Sequence, residues 1–111
     1  SGYEKAQALI DAGDAVAFHQ FINSLSEVEQ VDLFNSAPPG KKTGYKDAHR
    51  AMLKQAEQFF TEVKTAIEEA IANEDSMLLA ETVNELTTYE RQALWARLDA
   101  TQQSEMKRIK A

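Results

Sequence analysis

A chain of 111 residues with 43% hydrophobic residues is long enough to bury a core as one domain and too apolar to remain disordered over most of its length. Cysteine is absent, which excludes a disulfide framework, a thiolate zinc site and a Cys nucleophile, and fits a reducing compartment. The net charge of −6 opposes generic attraction to nucleic acid or anionic lipid, and four Gly and two Pro among abundant Ala, Glu, Gln, Lys and Leu favour helix over a turn-rich sheet.

The start, Ser1-Gly2-Tyr3-Glu4-Lys5, lacks the basic and apolar regions of a signal peptide, and no apolar run approaches the roughly 20 residues that span a bilayer. The expected location is cytoplasmic, without a membrane partner. A Ser-Gly start without Met reads as the scar of a cleaved tag, which predicts a longer natural chain.

In chain order, the first helix is predicted over about 3–11, with Tyr3, Ala6 and Ile10 inward. Asp14 stands where it caps a second helix over 15–24, whose apolar residues are Val16, Phe18, Phe21, Ile22 and Leu25. Ser26-Glu27-Val28-Glu29 is a capping box, in which the hydroxyl accepts from the N3 amide while the Glu reaches back to the cap amide. It opens a third helix over 27–35, carrying Val28, Val31, Leu33 and Phe34, which Pro38-Pro39 ends. Thr43 is the expected cap of the fourth.

From Tyr45 the apolar positions run Ala48, Met52, Ala56, Phe59, Val63, Ala66, Ala70, with Leu53, Phe60, Ile67 and Ile71 widening the stripe. This predicts a central helix over about 44–73. At 1.5 Å per residue it is about 45 Å long, so it bridges two lobes or exposes a stripe to a partner chain. Asp75 then precedes a helix over 76–86, Thr87-Thr88-Tyr89-Glu90 is a second capping box ahead of Ala93, Leu94, Trp95 and Leu98, and a last helix follows Asp99 to Gln103.

These starts recur because the sequence resembles itself at a displacement of 61 positions, which aligns Ile10 with Ile71, Asp14 with Asp75, Asn23 with Asn84 and Leu25 with Leu86. The same displacement aligns Glu29 with Glu90, Leu33 with Leu94 and Lys46 with Lys107. The expected architecture is therefore all-α: one domain over 1–111 with about seven helices, copy one at about 3–54, copy two at about 64–111, and the central helix shared between them.

Charge alternates in blocks: residues 1–40 carry −5, 41–54 carry +4, 55–90 carry −8 and 91–111 carry +3. The basic blocks hold Lys41, Lys42, Lys46, Arg50 and Lys54, then Arg91, Arg97, Lys107, Arg108 and Lys110. Such patches neutralise a few phosphates in a weak, salt-sensitive way, or pair with the acidic blocks. The acidic helix start Glu27 to Asp32 is a poor recognition helix for DNA.

No constellation carries chemistry. His19 and His49 each lack a second ligand or base at helical spacing, and Glu68, Glu69, Glu74, Asp75, Glu81 and Glu85 read as a solvated acidic face without EF-hand order. Pro39-Gly40-Lys41-Lys42-Thr43-Gly44 lacks the spacing of a phosphate loop and any preceding strand. The sequence thus predicts a non-enzymatic helical module without cofactor or metal, which binds another protein or itself through Phe59, Phe60, Val63 and Ile67. The alternative is an accessory domain of a nucleic-acid-handling protein, touching phosphates through Lys41, Lys42, Lys46, Arg50, Lys107 and Arg108.

Overall fold

The structure, a computed structural model, describes residues 1–110 and is all-helical. Among the described residues there are seven helices and no strand: α1 Gly2–Ala12, α2 Ala15–Asn23, α3 Glu27–Ser36, α4 Lys42–Ala72, α5 Ser76–Asn84, α6 Thr88–Arg97 and α7 Ala100–Lys110. None of them is long and apolar enough to cross a membrane. The chain divides into two compact units, Ser1–Glu57 and Gln58–Ala111.

In unit 1 the short helices are delimited by local hydrogen bonds. Gly13 takes φ 68° at the end of α1 and its N–H reaches back to Ile10 and Leu9, a left-handed turn that glycine adopts without a Cβ penalty. The Asp14 carboxylate accepts from Ala17 N at 3.1 Å and starts α2. The box at α3 is complete, with Glu29 N donating to Ser26 Oγ at 3.2 Å and Ser26 N to Glu29 Oε1 at 2.9 Å. Gln30 Nε2 then donates to the Ile22 and Leu25 carbonyls, and Lys42 Nζ to the Asn35 carbonyl, so side chains from the next helix close the ends of α2 and α3. The core gathers Ala6, Phe18, Ile22, Leu33, Ala37, Tyr45 and Met52.

Unit 2 is delimited in the same manner. Glu74 takes φ 52° ahead of Asp75, whose carboxylate accepts from Leu78 N at 3.0 Å. Thr87 and Glu90 form the second box, and Asp99 and Gln102 form a third exchange that starts α7. Arg91 Nε donates to the Val83 carbonyl at 3.1 Å, and Gln103 Nε2 to the Trp95 carbonyl at 2.9 Å, closing α5 and α6. Its core gathers Ile67, Ala70, Leu79, Val83, Leu86, Leu94, Leu98 and Met106.

Thr43 is not the cap of α4. The helix begins at Lys42, after a turn in which Lys41 N bonds the Pro38 carbonyl and Gly40 takes φ 85°, so Thr43 already lies inside its first turn. The cap interactions carry a measurable share of stability. Ser26→Ala and Thr87→Ala each lower it by about 1 kcal/mol in a urea titration followed by ellipticity, because the N3 amide loses its acceptor; a change within about 0.2 kcal/mol of zero contradicts the assignment.

Candidate functional site

Two of the four residues expected on an exposed stripe are core residues. Phe60 and Ile67 are 1% and 0% exposed. The Arg97 guanidinium lies over the Phe60 ring at 4.4 Å, and Ile67 packs among the α5–α7 side chains. A side chain in that position meets no partner while the fold is closed. Phe59 and Val63 are half-buried against the same core, so the apolar stripe of α4 in unit 2 is largely covered by its own helices.

The six expected phosphate-contacting residues are scattered in their roles. Lys41, Lys46 and Arg50 are exposed, and Lys42, Lys46, Arg50 and Lys54 follow one another at four-residue steps along α4. Lys42 closes the end of α3 through the Asn35 carbonyl at 2.8 Å. In unit 2, Arg108 is held at 2.6 Å by both Glu74 and Glu105, two carboxylates that together push its already high pKa further up. Lys107 lies over the Trp95 ring at 5.3 Å. Here a basic residue pairs with the acidic block, and Glu105 answers with a pKa below the usual carboxylate range.

The two histidines sit in unit 1. His19 Nε2 lies 3.4 Å from Glu57 Oε1, and its Nδ1 lies 3.3 Å from the Asn23 amide. His49 is enclosed by aromatic rings, with centroids 5.2 Å from Phe18, 4.8 Å from Phe34 and 5.8 Å from Tyr45. Its Nδ1 is 3.3 Å from the Tyr45 hydroxyl. Burial disfavours the charged imidazolium and holds the His49 pKa below its ordinary value, and the same burial pushes the Tyr45 phenol up to about 12.

A pH dependence follows from this enclosure. The unfolded chain takes up a proton on His49 near its ordinary pKa of 6.5, while the folded chain resists it, so stability is lost as pH falls through and below that value. Thermal melts between about pH 7.5 and 5.5, where carboxylates stay ionised, show the transition moving down, and His49→Gln flattens it. An unchanged melt over that range, or the same fall in the variant, contradicts the reading.

The remaining feature is a groove of about 400 Å³ in unit 2. Its floor is apolar: Val83 and Leu86 at the end of α5, Leu94 and Trp95 on α6, and Met106 on α7. Its rim is cationic, with Arg91 on α6 and Lys107 and Lys110 on α7, and no carboxylate lines it among the described residues. The Gln103 bonds to the carbonyls of Trp95 and Leu98 hold the corner between the two helices, and the Lys107 ammonium rests on the Trp95 face.

At the positions displaced by 61, unit 1 has Tyr45 where unit 2 has Met106, and His49 where it has Lys110. Tyr45 and His49 are buried rings, whereas Lys110 is exposed.

The opposite type of surface occurs on α3. Val28 and Val31 are 71% and 58% exposed, although the apolar rhythm alone groups them with the buried Leu33. At about 100° per residue they form one strip, and Glu27 and Asp32 lie about 70° to either side of its midline. In comparisons with family models, with curated proteins and with solved structures, the chain has no match.

Proposed function

We propose that the chain is a non-enzymatic, cytoplasmic interaction module that receives an acidic amphipathic helix in the groove of unit 2. The observation that carries the reading is the groove itself: an open apolar floor with an aromatic residue, and a rim of Arg91, Lys107, Lys110 and the neutral Gln92 without a carboxylate among the described residues. Helices dock into such grooves through residues at i, i+3, i+4 and i+7, with buried aromatic anchors supplying most of the energy. Carboxylates flanking the docked stripe meet Arg91 on one side and Lys107 and Lys110 on the other.

We propose further that the two units are copies of one helical unit of about 61 residues, joined within α4. Six pairs of buried residues support this at that displacement: Ala6/Ile67, Phe18/Leu79, Ile22/Val83, Leu33/Leu94, Ala37/Leu98 and Tyr45/Met106. The left-handed residues Gly13 and Glu74, the caps Asp14 and Asp75, and the reach of Gln30 and Arg91 to the Ile22 and Val83 carbonyls fall into the same register. On this reading the groove is a divergence between copies, opened at Met106 and Lys110.

Trp95 is the single tryptophan, so its emission reports on the groove. Titrating the chain with a synthetic amphipathic helix bearing Glu beside its apolar stripe shifts Trp95 emission to the blue, and the same helix bearing Lys has no effect. No shift with either peptide overturns the reading.

A second reading rests on the exposed cations at four-residue steps on α4, Lys42, Lys46, Arg50 and Lys54. They offer a nucleic-acid backbone a line of charge without base readout. Lys41 adjoins that line, while Lys107 and Arg108 are engaged with Trp95, Glu74 and Glu105. Titration of labelled single and double strands at about 50 mM salt, where counterion release favours binding most, tests it, and absence of binding there disposes of it.

A further inference from the structure

The groove of unit 2 and the exposed strip of α3 complement each other. The strip presents two valines with an acid on each flank, Glu27 and Asp32, and the groove presents an apolar floor with cations from both α6 and α7. We infer that α3 of one copy docks into the unit 2 groove of another, so that the unidentified acidic helix is a segment of this chain and copies join head to tail. The inference rests on the groove being a docking site for an acidic helix. It names the occupant, which that reading does not.

Three features favour α3 as occupant. Val28 and Val31 stand at i and i+3, the spacing by which a docked helix presents anchors to a groove. Val28 and Val31 are well exposed, so docking removes apolar surface already facing water and breaks no core contact. Glu27 and Asp32 flank the strip as exposed carboxylates, so the acidity of α3 lies beside its apolar face.

The contact is heterologous, because the surface given by one copy differs from the surface it receives. Each added copy leaves a free groove at one end and a free α3 at the other, and association continues until a ring closes. Unit 1 has a cationic groove of similar volume beside Phe34, lined by Asn35, Lys42, Thr43 and Lys46, but it lacks the aliphatic floor that Val83, Leu86, Leu94 and Met106 give the groove of unit 2. The wider apolar floor makes the groove of unit 2 the receiving surface for the two valines.

Ionic strength separates the contact from the repulsion between chains of net charge −6. At about 0.1 M salt the Debye length is about 10 Å, so repulsion across whole molecules is screened while rim pairs in contact still attract. Two charge-reversed forms of the full chain test the pairing: Glu27→Lys with Asp32→Lys, and Lys107→Glu with Lys110→Glu. All four residues are exposed, and circular dichroism verifies that each form remains helical.

Sedimentation of the unaltered chain at about 0.1 M salt, up to about 1 mM, shows a weight-average mass rising to at least twice the monomer. Each reversed form alone stays monomeric, since like charges then face one another. Their equimolar mixture recovers association, because the basic α3 of one meets the acidic groove of the other and the acidic α3 of the second meets the basic groove of the first. Three results overturn the inference: an unaltered chain that is monomeric at about 1 mM, reversed forms that associate as well as it does, or a mixture that fails to recover. If Trp95 responds to the acidic peptide while the chain stays monomeric, α3 is excluded as occupant and the groove remains a docking site for another protein.

Discussion

Phe18→Ala lowers folding stability by about 3–5 kcal/mol. The side chain is fully buried at the meeting of Ala6, Ile22, Leu33 and Tyr45, and its ring stands edge-on to the His49 imidazole. Truncation loses the transfer free energy of the ring and leaves a void walled by three capped helices and α4, so little of it can collapse. The His49 ring also loses one side of its enclosure, and water entering there weakens the resistance to protonation that burial provides. Since a domain of this size is stable by about 5–15 kcal/mol, the variant loses a large share of the total. Urea unfolding followed by far-ultraviolet ellipticity measures it, with Val28→Ala, at an exposed site, expected within about 0.5 kcal/mol of the unaltered chain. A loss below about 1 kcal/mol for Phe18→Ala contradicts the assignment of this residue to the centre of unit 1.

Trp95→Ala weakens capture of an acidic amphipathic helix by about 30-fold or more, equivalent to at least about 2 kcal/mol. Trp95 contributes twice: its ring forms part of the floor, and its face positions the Lys107 ammonium on the rim. The variant removes the fluorophore, so calorimetry is the appropriate measurement. Trp95→Phe, which keeps an apolar ring in the site, retains most of the affinity. Lys110→Glu changes the rim at an exposed side chain, and its effect falls as salt rises, because exposed charge pairs are screened. Affinity unchanged in Trp95→Ala removes the groove from the account.

The helical class was readable because each short helix carries its own punctuation. Ser26 with Glu29 and Thr87 with Glu90 announce helix starts three residues apart, and Asp14 and Asp75 do so through a single carboxylate. Those signals are local, so they depend on no knowledge of the tertiary fold. The Thr43 misassignment marks the limit of the same reasoning: a hydroxyl after a Pro-Gly turn resembles a cap, but the turn from Pro38 to Lys41 already leads the backbone into the helix one residue earlier.

Sidedness was less accessible. Along α4 the apolar positions form a stripe wide enough for either a buried or an exposed face, and which face is covered depends on residues of other helices, such as Leu79, Leu94 and Met106. Periodicity alone offers Phe60 and Ile67 as partner contacts, although they lie in the core, and groups Val28 and Val31 with Leu33, although they face water. The groove left one trace in the sequence. Aligning the chain with itself sets Met106 against Tyr45 and Lys110 against His49, so that two ring positions of unit 1 face non-ring residues of unit 2. Its significance is legible only once Tyr45 and His49 are known to pack together against Phe18 and Phe34. The pairing of His19 with Glu57 was hidden for a comparable reason, since the carboxylate comes from a different helix.

The most direct test is a nitrogen–proton and methyl NMR titration of the full chain with the Glu-bearing amphipathic helix. The account predicts perturbations centred on Val83, Leu86, Arg91, the Trp95 indole N–H and the Met106 methyl, with the amides of α1 and α2 unmoved. Unchanged resonances at about 1 mM peptide, or changes confined to residues before Glu57, would contradict it.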